Sequence, residues 1–212
     1  MPFTIIQTAE QVREFLENNV REKLHAEIDA YISLATKPEY ADDYSDIVTY
    51  NEIAMVNLVS TAFTRNEEPT GTWALQEYEV FNNKKQFKGR ADLFIRMKKP
   101  GKHIDLLIEA KRDGHFKKSD NEQDVLKQWK REIPKTMQQG LKYFGYEKEH
   151  FQVNSFVVTM FFGTFSNEEY NNTVVPKYDD KQMRDNATYQ FFIKPIKGQK
   201  TLCVYGQILK VK

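Results

Sequence analysis

Apolar residues recur every four positions through Val12, Leu16, Val20, Leu24, Ile28 and Ile32, and Phe15 and Tyr31 fill the adjoining three-residue offsets. This spacing predicts one long amphipathic helix over about 8–34. Thr8, with Gln11 three residues on, is a capping-box signature for its start. A second helix is predicted from a cap at Ser45 or Asp46 to about Phe63, with Ile47, Val48, Met55, Val56, Val59, Ala62 and Phe63 as its apolar face. Glu52 falls inside that stripe. A carboxylate there is costly unless it is paired or bound to a metal. The bland alternatives are a residue at the stripe edge, or one bonded to an arginine.

The pattern then changes to strands. Three segments, 73–81, 91–97 and 104–111, read as strands, the first carrying bulky residues with β propensity (Trp73, Leu75, Tyr78, Val80 and Phe81) and the other two apolar runs. Asn82-Asn83-Lys84-Lys85 and Lys99-Pro100-Gly101-Lys102 are the turns between them. Tight connections of this kind predict an antiparallel meander. A helix is expected over about 121–146, kinked or divided at Pro134. Residues 154–165 are almost wholly apolar or β-branched and read as a buried strand. Segments 189–196 and 202–211, joined by Lys197-Gly198-Gln199-Lys200, read as a C-terminal hairpin, and 166–188 as a polar loop with room for a short helix. The predicted order is α-α-β-β-β-α-β-β-β, an α/β (α+β) chain with a mixed central sheet. No repeat or interdomain linker is evident, so 1–212 is expected to form one domain.

Composition narrows the class. Apolar residues make up 40% of the 212, enough for a core. A single cysteine, Cys203, leaves no internal disulfide and no cysteine-based zinc site. There is no run long enough to span a bilayer and no signal-peptide pattern, so a soluble cytoplasmic protein without a membrane partner is expected. Net charge is only +1, but positive charge is concentrated locally. Residues 82–102 carry eight Lys or Arg against Asp92 alone, and 191–212 carry Lys194, Lys197, Lys200, Lys210 and Lys212 against no acid. Such stripes either neutralise phosphates or decorate solvated strand ends.

The most telling residues lie inside the strands. Gly89-Arg90-Ala91-Asp92-Leu93-Phe94-Ile95 and Asp105-Leu106-Leu107-Ile108-Glu109-Ala110-Lys111 are apolar runs carrying ionisable groups. Residues i and i+2 share a strand face, so Glu109 and Lys111 point the same way. Asp92 approaches Glu109 if the hairpin register allows. Two carboxylates in a low-dielectric site raise a pKa or recruit a cation. Oxygen ligands select hard ions, here Mg²⁺ or Mn²⁺. The structural alternative is an Asp92–Lys111 ion pair with Glu109 at a strand end.

Glu52 on a helix, Asp92 on the second strand and Glu109-Ala110-Lys111 on the third resemble the PD-(D/E)XK nuclease superfamily. Its αβββαβ, restriction-endonuclease-like core is similar to the predicted order over about 45–165, roughly 120 residues. Gly89-Arg90-Ala91-Asp92 is similar to the G-x-x-D motif of RecB-type nucleases and of type I restriction subunits. Gln139-Gly140-Leu141-Lys142-Tyr143 fits the Q-x-x-x-Y motif of the same groups, and Glu109-Ala110-Lys111-Arg112 resembles the restriction-subunit form. The family proline is replaced by Ala91. The resemblance implies that Asp92, Glu109 and the Ala110 carbonyl bind the metal, that Lys111 is catalytic, and that Glu52 is an auxiliary ligand. Gln139 and Tyr143 would contact nucleic acid or brace the site, with Gln138 as the alternative to Gln139. The basic loop with Lys88 and Arg90 would approach the backbone.

The expectation is a divalent-metal-dependent nuclease acting on DNA, in restriction, defence or repair. Two rivals stand beside it: a catalytically inactive member of the fold that binds nucleic acid or protein, and an RNA-directed nuclease. The helix over 8–34 lies outside the core pattern and is free to pack on the sheet, form a homodimer seam or dock a separate motor subunit. No P-loop or G-x-S-x-G motif competes. The aromatics of 156–165 are expected in the sheet core rather than as a base-stacking platform.

Overall fold

The computed structural model describes residues 6–35, 52–65, 71–99, 102–112, 122–151, 154–166, 185–194 and 200–212. The first helical stretch begins as expected. Thr8 Oγ1 accepts from the Gln11 N–H, and the Gln11 side chain accepts from the Thr8 N–H, closing the capping box. The stretch is not one uniform α-helix. It runs as α1 (Ala9–Phe15), a π-helical turn (Leu16–Val20) and α2 (Arg21–Ala35). A strict four-residue repeat overshoots a 3.6-residue helix by about 40° per turn. The wider π-turn absorbs this drift, so Val12, Leu16, Val20, Leu24 and Ile28 are all fully buried. Tyr31, placed in the same stripe by its spacing, is instead 40% exposed.

Helix α3 spans Glu52–Thr64 and buries Met55, Val56, Val59, Ala62 and Phe63. The expected cap at Ser45 or Asp46, and Ile47 and Val48, lie outside the described residues. The three predicted meander strands form as β1 (Thr72–Phe81), β2 (Phe87–Lys99) and β3 (Lys102–Arg112), each antiparallel to the next. Helix α4 (Glu122–Glu147) then crosses over so that β4 (Asn154–Ser166) runs parallel to β3. Pro134 does not divide α4; it sits inside one continuous helix. The C-terminal hairpin forms from β5 (Asn186–Ile193) and β6 (Lys200–Lys210). Of the polar loop expected before it, 167–184 lies outside the described residues.

The six strands form one mixed sheet in the order β1-β2-β3-β4-β6-β5. Strand β6 lies antiparallel between β4 and β5, so the chain passes to the far edge before returning to the centre. On one face, α1–α3 pack with Leu93, Ile95, Ile104, Leu106, Ile108 and Ala110. On the other, α4 packs with Phe94, Leu107 and Val157. Strict alternation along β3 sends Ile104, Leu106, Ile108 and Ala110 one way and Leu107 the other, as a period of two requires. Phe156, Phe161 and Phe162 are buried in the sheet, as expected for core.

Strand β1 is a sheet edge and leaves Trp73, Leu75 and Phe81 about two-fifths exposed. Two lysines of the C-terminal basic stripe are anchors. Lys210 Nζ donates to the Gln7 carbonyl, and Lys212 Nζ to those of Lys148 and Phe151. Among the described residues no helix is long and apolar enough to cross a membrane.

Candidate functional site

The Lys99–Lys102 pair closes the β2–β3 hairpin, and the register counts from there to Leu93–Ile108. One further step would pair Asp92 with Glu109, but the backbone ladder ends first. Asp92 Oδ2 takes over, accepting the Ala110 N–H at 2.6 Å. In a strand a residue's N–H and C=O leave on the same side. The Ala110 carbonyl therefore also faces β2, beyond the end of their ladder, while its methyl is buried in the opposite face.

Glu109 shares its strand face with Leu107 and lies beneath α4, fully buried. A Cβ at Gly140 of α4 would sit 3.3 Å from Glu109 Cγ and 2.5 Å from Val157 Cγ1. The bare glycine is what lets the helix descend onto the carboxylate. Neither Glu109 oxygen has a hydrogen-bond partner among the described residues. Burial, and then the charges of Asp92 and Glu52, push the Glu109 carboxyl up to about 8, with Lys111 partly offsetting them. Asp92 is also raised. Burial is the main cause and Glu52 and Glu77 add to it, while the Ala110 N–H and the Lys111 charge oppose it.

Lys111, two residues beyond Glu109, is partly exposed. Its Nζ lies 3.5 Å from Oε1 of Glu52, itself one-third exposed at the start of α3. Glu52, expected inside the apolar stripe, is instead the first residue of α3 and partly exposed, and from there it reaches Lys111 at the carboxyl end of β3. The structure thus brings Glu52, Asp92, Glu109, Ala110 and Lys111 together. Asp92 is held by the Ala110 N–H and Lys111 by Glu52, an arrangement different from a simple Asp92–Lys111 pair. Among the described residues no three His, Cys, Asp or Glu side chains converge as a ready ligand shell.

Gln139 and Tyr143 lie one turn apart on α4. Gln139 Nε2 is 3.5 Å from the Tyr143 hydroxyl. Tyr143 rests on Gly89, where a Cβ would come within 2.4 Å of its hydroxyl, and Gly89 adopts φ +144°, a conformation that disfavours any side chain. Gly89 and Tyr143 of the two motifs are therefore in direct contact. Gln138 is exposed and does not take this place. Lys88 lies over the Tyr146 ring at 5.9 Å. Arg90 is exposed but compensated by Glu79 at 3.3 Å and Glu77 at 3.8 Å. The basic stripe is thus less positive here than its composition suggested.

Sequence reasoning passed over Asp105 and Glu147. Asp105 is fully buried and receives Arg96 Nε and Nη2 at 2.7 and 2.8 Å. Counting back from the Lys99–Lys102 turn pairs residues 96 and 105, a signal that was present in the sequence. Glu147 accepts from the Tyr78 hydroxyl and the Phe81 N–H at the β1 edge. Nothing local in the sequence marks that contact, since it depends on where α4 ends.

Gly140→Ala tests how closely α4 is seated. Helix propensity alone would favour alanine by about 1 kcal/mol. The clash with Val157 and Glu109 costs about 1–3 kcal/mol and should win. Urea unfolding is expected to show net destabilisation; a neutral or stabilised variant would mean that the helix rides higher.

No protein-family model, curated protein or solved structure matches the chain.

Proposed function

We propose that the chain is a divalent-cation-dependent nuclease acting on DNA, with a restriction-endonuclease-like core running from α3 to β4. The observed order α3-β1-β2-β3-α4-β4 supports that core. One observation carries the functional reading. Both Glu109 oxygens are buried without a hydrogen-bond partner among the described residues, beside a second carboxylate, Asp92, whose pKa is also raised. An unpaired buried carboxyl is a cost that a structural role would not retain. A cation offsets it.

The donor set suits Mg²⁺ or Mn²⁺. Such ions keep several waters and are bound through one or two carboxylates plus substrate phosphate. Two carboxylates, with no third converging among the described residues, therefore fit better than they would for zinc or calcium. Asp92, Glu109 and the Ala110 carbonyl would hold the ion, which would polarise a phosphoryl oxygen and lower the pKa of a coordinated water.

The chain's own residues do the rest. The Ala110 N–H fixes the rotamer of Asp92. Glu109 must give up its proton when the cation arrives, so binding competes with protons. The Lys111 ammonium orients the attacking water or stabilises charge developing on the phosphate. Glu52 holds that ammonium at the mouth of the site; service as an auxiliary ligand would require it to leave Lys111. Tyr143, braced by Gln139 and seated on Gly89, fixes the start of β2, a strand rather than the expected loop, from which Lys88 and Arg90 would approach the backbone.

The test is cleavage of linear and covalently closed DNA in Mg²⁺, Mn²⁺ or EDTA, with Lys111→Ala purified in parallel. Cutting is expected only with metal, reduced at least about 100-fold in the variant. Equal rates for variant and parent would remove the mechanism.

A further inference from the structure

On the α4 face, beside the proposed cleavage site, a cleft of about 150 Å³ is lined by Trp73, Tyr78, Phe94, Arg96, His150 and Phe151. Its walls are mutually locked. Tyr78 stacks on Phe94 at 4.9 Å, and Trp73 and Phe151 meet Phe94 edge-on at 5.5 and 5.6 Å. The Arg96 guanidinium lies over both Trp73 and Phe94. Its Nε and Nη2 are spent on Asp105, and Nη2 also on the His150 carbonyl. Among the described residues Nη1 makes no hydrogen bond. Trp73 stays 40% exposed at the mouth. The result is a rigid aromatic slot with one fixed donor.

Size and chemistry select the occupant. A cavity near 150 Å³ admits a benzene-sized ring, far less than a drug-sized ligand needs. Aromatic walls favour a flat ring by stacking, and a guanidinium donor favours one bearing an acceptor. The position adds a further constraint. Asp92, Phe94 and Arg96 are successive residues on one face of β2, so the slot begins about 7 Å from Asp92 along the strand and extends to about 13 Å. A nucleotide flanking the scissile phosphate lies within that reach.

We infer that this cleft is a nucleobase-binding subsite, which stacks one unpaired base next to the reacting phosphodiester. The inference rests on the nuclease reading for its substrate class. A base must leave its pair to enter, so single-stranded or locally opened DNA is the form it takes.

Trp73 and Trp129 are the two tryptophans in the chain. A Trp129→Phe background therefore isolates the emission of Trp73. The full chain, in EDTA so that nothing is cut, is titrated with a short oligothymidylate and with an abasic oligodeoxynucleotide of equal length. The oligothymidylate is expected to quench Trp73 and to bind more tightly than the abasic strand. By anisotropy, Trp73→Leu should weaken oligothymidylate binding about 5- to 100-fold and leave the abasic strand unchanged. Trp73→Phe keeps a ring and should stay near the parent, which separates stacking from a folding defect. Equal binding and quenching by both strands, no binding of either, or an unaffected Trp73→Leu would overturn the subsite.

Cleavage by the parent in Mn²⁺ is scored separately. Base-dependent binding without cleavage upholds the cleft and removes the nuclease. Cleavage without base-dependent binding removes the cleft alone.

Discussion

Glu109→Gln is expected to abolish metal-dependent cleavage and, in EDTA, to make the chain more stable than the parent at alkaline pH. The sign follows from the proton balance. The Glu109 carboxyl titrates near 8 in the fold, against an ordinary value of 4.5. Between those two pH values the folded chain holds a proton that the unfolded chain has released. Stability therefore falls as pH rises through that window, and the full cost is present above about pH 8. A rise of this size corresponds to several kcal/mol, as an order of magnitude. Glutamine matches the protonated form and has nothing to lose.

Urea midpoints measured in EDTA from about pH 5 to 9 should start close together and then diverge, with the variant on the stable side. Asp92 is raised mainly by burial and slopes the same way, so the difference between the curves reports Glu109 together with its coupling to Asp92. Saturating Mg²⁺ should reverse the order, because only the parent gains binding free energy from the ion. Parallel pH profiles would mean that Glu109 is satisfied by something else in solution.

Gly206→Ala is expected to be the most destabilising alanine substitution among the described glycines, at about 3 kcal/mol or more. A Cβ at this position would lie 1.8 Å from the Thr159 carbonyl oxygen and 3.1 Å from its hydroxyl. The obstacle is backbone, so no side chain can swing aside. Thr159 is already committed. Its hydroxyl accepts the Gln207 N–H at 2.9 Å, and its carbonyl accepts the Tyr189 hydroxyl at 2.8 Å. Moving β6 away would break those buried bonds as well. Thr159 is the register neighbour of Glu109 on β4, so metal affinity should fall with stability. A urea-midpoint loss worth under about 1 kcal/mol would show that the β4–β6 contact is looser than described.

Much of this was legible in residue order. The four-residue apolar repeat identified the N-terminal helical stretch, since burial in a helix depends on local spacing. It did not reveal the π-turn, because a drifting stripe looks the same in sequence whether the helix or its partner adjusts. The meander was readable from its turns, and counting from the Lys99–Lys102 pair gives 96 opposite 105 and 93 opposite 108, one step short of Asp92 and Glu109. Glu109 and Lys111 on one strand face followed from the period of two.

Tertiary structure alone decided the rest. The insertion of β6 between β4 and β5 joins segments whose order in the chain differs from their order in the sheet, and no local propensity encodes that exchange. The exposure of Tyr31 and the acidic neighbours of Arg90 were hidden for the same reason: exposure and charge compensation depend on the fold around a residue. Above all, the seating of α4 on Glu109 through Gly140 determines the electrostatics of the site. The sequence supplied the carboxylate and its strand. Only the helix laid over it removes the water, and that loss of solvent is what raises its pKa and leaves its oxygens without partners among the described residues.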